Sequence, residues 1–264
     1  MMDKLKNDQR PIGIFDSGLG GLTVLKHLIK YFPNEKFIYL GDLANLPYGN
    51  KSKQNIIKYS LECANFLKSK NVKCIIIACN TASSYAYSEL KKSIDIPVFD
   101  VISPCIDKII LSKNKNIAIL GTEKTIEAKV YHSQIKSKNK NIKIYNIACP
   151  LFVPIVEEGL EETNISKSII DMYLSPIKKA NVDCIVLGCT HYPILLNDLK
   201  EYFNNSVDIF HSGPIIAENL SHYIKSNNCL NKIEYYVTDL PERFTKYGNK
   251  FLNQKIDKVN LIKF

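Results

Sequence analysis

The chain has 264 residues, of which 45% are hydrophobic and 23% are charged, a composition that excludes collagenous and low-complexity proteins. Its net charge of +9 comes almost entirely from lysine, whereas proteins that bind nucleic acid usually depend on arginine, so we expect no nucleic-acid partner. No apolar run approaches the roughly 18 residues that a membrane span needs, and the N-terminus lacks the apolar core of a signal peptide. We therefore expect a cytoplasmic protein without membrane contact.

Short β-branched runs alternate with longer helical patterns along the chain. The predicted strands, in chain order, are Ile12–Phe15, Lys36–Leu40, Lys73–Ala78, Val98–Val101, Ile117–Leu120, Ile142–Ile147, Cys184–Leu187, Val207–Phe210 and Glu234–Thr238. The predicted helices include Leu22–Tyr31, Lys53–Lys68 and Ser83–Lys91. Continuous apolar strands that alternate with helices predict parallel sheets covered on both faces, and such sheets bind ligands beyond the carboxyl ends of their strands.

An internal repeat joins two of these strand–helix units. Residues 71–81 align with residues 181–191 at a constant offset of 110 residues, and Asn, Val, Cys, Ile and Cys recur in register. A weaker pair aligns residues 12–17 with residues 117–122. Any two strand–helix units share some likeness, but the recurring cysteines favour two related α/β halves. If these halves face each other, two thiols point into one cleft.

Two of the eight cysteines end the repeated strands. The chain has no Cys-x-x-Cys pair and no secretion signal, which argues against a zinc site and against a disulfide framework. Cys79 and Cys189 each stand where a strand ends and a helix begins, a position that lowers the pKa of a thiol and favours the reactive thiolate. Polar side chains suited to a carboxylate ligand follow both cysteines: Asn80, Thr81, Thr190 and His191.

Three further loops at predicted strand ends carry candidate residues. The glycine-rich segment Asp16–Thr23 opens a helix, so its glycines serve either an anion at the helix N-terminus or only a tight turn. It matches neither a dinucleotide fingerprint nor a P-loop. The small residues of Gly41–Gly49 either approach a ligand closely or form a plain turn. An apolar stretch precedes Glu157 and Glu158, which support a site or lie on a helix surface.

These motifs together resemble the glutamate racemases, cofactor-independent enzymes of the aspartate/glutamate racemase superfamily. The matching blocks are residues 11–24, 41–49, 79–83, 148–159 and 187–193, with later blocks at 121–126 and 241–244. The resemblance implies an α/β fold with two similar domains, each a mainly parallel sheet flanked by helices, related by pseudo-symmetry and with the active site in the cleft between them. The first domain would comprise residues 8–102 and 213–264, and the second residues 103–212.

The resemblance also implies an activity and a set of site residues. The enzyme would racemise L-glutamate to D-glutamate for peptidoglycan, without a cofactor or a metal, by proton transfer between two cysteines. Cys79 would serve D-glutamate and Cys189 L-glutamate, with Asp16 assisting the first and Glu157 with His191 assisting the second. Whether Glu157 or Glu158 has this role stays open. The substrate-binding residues would be Asp16, Ser17, Tyr48, Gly49, Asn80, Thr81, Thr190 and His191.

Two alternatives accompany this interpretation. An aspartate racemase of the same superfamily would share the thiols and differ in the pocket for the side-chain carboxylate. A regulatory role on DNA gyrase, instead of catalysis or in addition to it, would not need the two thiols.

We expect glutamate as the small-molecule partner and a homodimer. The chain departs from the common family pattern at Asn45, where arginine is frequent, and at His211, where aspartate is frequent.

Overall fold

The computed structural model describes residue 5 and residues 8–224 and 232–264. The strands of this described part are β1 Ile12–Asp16, β2 Lys36–Gly41, β3 Cys74–Ile77, β4 Val98–Asp100, β5 Asn116–Gly121, β6 Lys143–Ala148, β7 Cys184–Gly188, β8 Asp208–His211, β9 Lys232–Val237 and β10 Val259–Leu261. The helices are α1 Leu22–Tyr31, α2 Lys53–Ser69, α3 Asn80–Ser93, α4 Ile102–Leu111, α5 Glu123–Glu127, α6 Val130–Lys138, α7 Phe152–Glu157, α8 Asn164–Lys178, α9 Leu196–Tyr202, α10 Ser212–Leu220 and α11 Pro241–Leu252.

The strands form two separate sheets, and every strand pair in both sheets is parallel. The first sheet has six strands in the order β10-β9-β2-β1-β3-β4, and the second has four in the order β6-β5-β7-β8. The central strands are buried along their whole length, as their continuous apolar sequences predict. The α/β class with two parallel sheets flanked by helices is therefore confirmed.

The two sheets repeat one arrangement. The order β2-β1-β3-β4 in the first sheet corresponds to β6-β5-β7-β8 in the second. The register corresponds as well, because Ile12 pairs with Cys74 in the first sheet and Ile117 pairs with Cys184 in the second. These are the same residues that the sequence repeat aligns, so both Cys79 and Cys189 follow the equivalent strand of their sheet.

The predicted strand ends lie within two residues of the observed ones, and two larger differences remain. Helix α3 begins at Asn80 rather than Ser83, because the Cys79 sulfur accepts a hydrogen bond from the backbone N–H of Ala82 and so caps the helix. The short strand β10 was not predicted, because its three half-exposed or exposed residues carry no periodic pattern. The first sheet takes strands from residues 12–100 and 232–261, while the domain boundaries given above stay a prediction.

Within the described residues, no helix is long and apolar enough to cross a membrane. The same part of the chain shows no cluster of three or more His, Cys, Asp or Glu side chains that could hold a metal ion.

Candidate functional site

A pocket lies at the carboxyl ends of β1, β3 and β7, and both sheets contribute to its wall. Both predicted thiols line it, one from each sheet. The lining residues are Ser17, Gly18, Leu46, Pro47, Tyr48, Gly49, Cys79, Asn80, Thr81, Thr122, Val153, Glu157, Cys189, Thr190 and His191. The structure thus brings together all the predicted site residues except Asp16, which is buried and hydrogen-bonded to Gly18 and Thr190 of the lining.

Cys79 stands at the N-terminus of α3 with only 5% of its surface exposed. Its sulfur lies 3.4 Å from the backbone nitrogen of Ala82 and 3.7 Å from the hydroxyl oxygen of Ser17. Burial and the nearby Asp16 carboxylate nevertheless raise the pKa of the thiol to about 12, and these two hydrogen bonds only partly offset them. The backbone N–H of Ala82 at the helix N-terminus thus lowers the pKa of this thiol, but burial and the Asp16 carboxylate outweigh that effect.

Asp16 ends β1 and is fully buried. Its carboxylate accepts hydrogen bonds from the backbone N–H of Gly18, at 2.9 Å, and from the hydroxyl of Thr190, at 3.2 Å. Burial raises the pKa of Asp16, while the charge of His191 and these hydrogen bonds act in the opposite direction. Asp16 consequently connects the Cys79 side of the pocket to the Cys189 side.

Cys189 follows β7 and is 8% exposed, beside His191. The His191 Nε2 atom lies 3.2 Å from Oε1 of Glu157. Burial opposes a charge on the His191 ring, but hydrogen bonds with the Cys189 sulfur and the Glu157 carboxylate outweigh it and raise the pKa to about 10. Glu157 lines the pocket, whereas Glu158 is exposed and lies outside it. The geometry therefore favours Glu157 for the supporting role.

Three predicted substrate-binding side chains already form hydrogen bonds with other side chains of the protein. The Tyr48 hydroxyl donates to Asp42 at 2.6 Å. The Asn80 amide accepts from the Tyr131 hydroxyl at 2.8 Å and lies 3.3 Å from the Ser212 hydroxyl. The Thr81 hydroxyl lies 2.9 Å from that of Thr122. Tyr48 and Asn80 therefore face the pocket with side chains whose polar atoms already have partners.

Two glycines mark places where the halves approach each other closely. A Cβ atom on Gly20 would lie 2.3 Å from the Thr190 hydroxyl and 2.5 Å from Nδ1 of His191. A Cβ atom on Gly49 would lie 3.0 Å from Cβ of Thr122. The N–H of Gly18 is occupied by Asp16. The glycine-rich segment thus allows close approach between the halves, and its N–H groups bind the chain's own Asp16 carboxylate.

Sequence reasoning gave no role to several residues of the site and its surroundings, among them Thr122, Tyr131, Ser212 and Arg243. A signal existed for Thr122, because the weaker repeat aligns it with Ser17. The other three hold Asn80 or Glu157 from distant elements. Arg243 lies in the matching block 241–244, but no local pattern in the sequence predicts its contact with Glu157 or the contacts of Tyr131 and Ser212 with Asn80.

Comparisons with known proteins match this chain to racemases. The profile of the Asp/Glu/Hydantoin racemase family matches residues 12–220. The glutamate racemase of Sulfurihydrogenibium sp. (strain YO3AOP1) is 43% identical over 254 residues, covering 95% of this chain and 97% of that protein. The crystal structure of glutamate racemase from Francisella tularensis in complex with D-glutamate is 35% identical, with a TM-score of 0.89 over 96% of this chain and 97% of that one. The isoform RacE1 from Bacillus anthracis is 31% identical, with a TM-score of 0.91 over 97% and 98% of the two chains.

Proposed function

Because this chain belongs to the glutamate racemase family, we propose that it interconverts L- and D-glutamate with Cys79 and Cys189 as its two acid–base groups. The observation that carries the proposal is the position of the two thiols. They follow equivalent strands of two separate sheets and line one pocket.

The reaction explains why two groups are needed. Racemisation removes the proton on one face of the α-carbon and returns a proton to the other face. A single base would have to move across the substrate, whereas two groups held on different walls of a pocket need not. One cysteine acts as the thiolate base and the other as the thiol acid, and the roles reverse with the configuration of the substrate.

The surroundings of each thiol suit this exchange of roles. The raised pKa of Cys79 keeps it protonated near neutral pH, as the proton donor must be when L-glutamate is consumed. His191, held by Glu157, supplies a positive charge beside Cys189. The backbone amides of Asn80 and Thr81 at the N-terminus of α3 and the hydroxyl of Ser17 are donors available to carboxylates at the same pocket.

Glutamate is favoured over aspartate as the substrate. The relatives that match almost the whole chain at about 40% identity are named glutamate racemases. No structural observation favours a role on DNA gyrase. The homodimer, the cytoplasmic location and the supply of D-glutamate for peptidoglycan are supported by the family resemblance, and they stay predictions.

The test uses purified protein dialysed against EDTA and free of a visible chromophore. L-glutamate and L-aspartate are incubated separately, and circular dichroism follows the loss of optical activity. We expect glutamate to reach an equal mixture of enantiomers without added metal or pyridoxal phosphate, and aspartate to react far more slowly. The double variant Cys79→Ala/Cys189→Ala is the control. Activity restored only by a cofactor, or a preference for aspartate, would contradict the proposal.

A further inference from the structure

The last helix of the chain extends from the first sheet to the second side of the pocket. Helix α11 is fixed on the first sheet by the fully buried Phe244, whose ring centroid lies 5.8 Å from that of Tyr39 and 6.0 Å from that of Tyr235. Near its other end, the ring of Phe251 meets the ring of His191 edge-on at 5.6 Å. The helix therefore contacts the side chain that stands beside Cys189.

Arg243 on this helix binds the carboxylate that supports His191. Its Nη2 atom lies 3.3 Å from Oε2 of Glu157, while Oε1 of Glu157 lies 3.2 Å from Nε2 of His191. Each oxygen of this carboxylate thus has its own cationic or proton-donating partner, one from each side of the cleft. Two partners at two oxygens restrict rotation of the carboxylate, which a single partner would not do.

We propose that Arg243 is a positioning residue for proton transfer at Cys189 and acts by fixing Glu157 against His191. The inference rests on the proposed function, since it concerns the same pair of thiols. Arg243 contacts neither sulfur and does not line the pocket. Its effect should therefore be confined to the Cys189 side, where the Glu157–His191 pair lies.

The same helix offers a matched control. Lys250 forms an ion pair with Glu161, which also belongs to the second side of the cleft. Its side chain is 44% exposed, against 41% for Arg243, and the two glutamates are 15% and 17% exposed. Both pairs hold α11 across the cleft, but only the Arg243 pair involves Glu157. A purely structural role for Arg243 would thus be shared by Lys250.

The experiment measures proton abstraction from each enantiomer separately. A glutamate that carries chlorine on its β-carbon loses chloride once the Cα proton is abstracted, so chloride release reports abstraction without the return step. The family resemblance assigns the L-form to Cys189 and the D-form to Cys79. Chloride release from both forms is measured for the unmodified protein, Arg243→Gln, Arg243→Lys and Lys250→Gln.

We expect Arg243→Gln to slow release from the L-form by about three- to tenfold and release from the D-form by less than about twofold, as suits a half-exposed ion pair that positions a reacting group. Arg243→Lys should restore most of the L-form rate, and Lys250→Gln should leave the ratio of the two rates unchanged. Equal slowing of both forms, slowing of the D-form alone, or the same change of ratio in Lys250→Gln would overturn the inference. If the unmodified protein racemises neither enantiomer of glutamate, the proposed function itself is overturned.

Discussion

Cys79 and Cys189 are the same residue type in unlike surroundings. Cys79 lies close to the buried carboxylate of Asp16, and its pKa is raised to about 12. Cys189 lies beside His191, whose pKa is raised to about 10, so that the ring carries a positive charge at neutral pH. Cys79 is thus protonated near neutral pH, whereas Cys189 lies beside a positive charge.

Removing either thiol should abolish racemisation in both directions. Every full turnover needs one group that takes a proton and another that gives one, so Cys79→Ala and Cys189→Ala should each lower the rate about 10²–10⁴-fold with D- and L-glutamate alike. The half-reaction should differ, because Cys189→Ala keeps the thiol assigned to the D-form and Cys79→Ala keeps the other. Initial rates by circular dichroism and elimination from a β-chlorinated glutamate measure the two effects. Near-normal racemisation in either variant would exclude the two-thiol mechanism.

Alkylation should single out the pocket cysteines, and Cys189 first. Cys79 and Cys189 are 5% and 8% exposed, whereas Cys63, Cys74 and Cys184 are fully buried. Only the thiolate reacts with iodoacetamide, so the raised pKa of Cys79 slows its reaction. Mass mapping should find Cys189 labelled ahead of the buried cysteines, with loss of activity that glutamate delays. Labelling of Cys63 before the pocket cysteines, with activity intact, would contradict this order. Cys229 lies outside the described residues, so the structure gives no exposure for it.

The His191–Glu157 pair predicts how stability depends on pH. The folded pKa of His191, about 10, is above its ordinary 6.5, so its contribution is fully present below pH 6.5 and is lost as the pH rises to about 10. The free energy of unfolding of the unmodified protein, from urea denaturation, should therefore fall more between pH 6.5 and 10 than that of His191→Gln. Parallel pH curves for the two proteins would show that the ring gains no proton on folding.

At the scale of helices and strands, the sequence repeat predicted where the two thiols lie. It placed Cys79 and Cys189 after equivalent strands, and the strand registers agree with its alignment. Strand ends depend on local apolar runs, which is why they could be predicted. The hydrogen bonds from Tyr131 to Asn80 and from Arg243 to Glu157 depend on how distant helices pack. The local sequence around each residue therefore does not predict these contacts.

The contact between the glycine-rich segment and the Thr190–His191 segment can be tested at one residue. In Gly20→Ala, the new methyl group would lie 2.3 Å from the Thr190 hydroxyl and 2.5 Å from His191, so the two segments must separate. A displacement of about 1 Å near reacting groups costs about 10²-fold, and we expect kcat/KM to fall by that order while the protein still folds. In the control Gly18→Ala, the nearest contact is Leu46 at 3.6 Å, and the loss should be much smaller. Equal activities of the two variants would contradict this account.

At the scale of the whole molecule, the two halves are joined by hydrogen bonds that surround the pocket. The Thr23 hydroxyl donates to the Thr190 carbonyl at 2.8 Å, and Thr190 itself donates to Asp16. On the opposite side, the Thr81 and Thr122 hydroxyls meet at 2.9 Å. These contacts hold the two halves together around both thiols, which are only 5% and 8% exposed, and electrostatic interactions with a bound carboxylate are stronger at such buried positions.

The central claim is that two thiols on different walls of this pocket exchange protons with opposite faces of one carbon. The most direct measurement is the fate of the Cα hydrogen when the metal-free protein converts D-glutamate to L-glutamate in D2O. At early times, NMR and mass spectrometry should find deuterium at Cα of nearly all the L-glutamate formed, because its new hydrogen comes from a solvent-exchanged Cys189. L-glutamate that retains the original proton would show that one group carries it from face to face, and would contradict the two-thiol account.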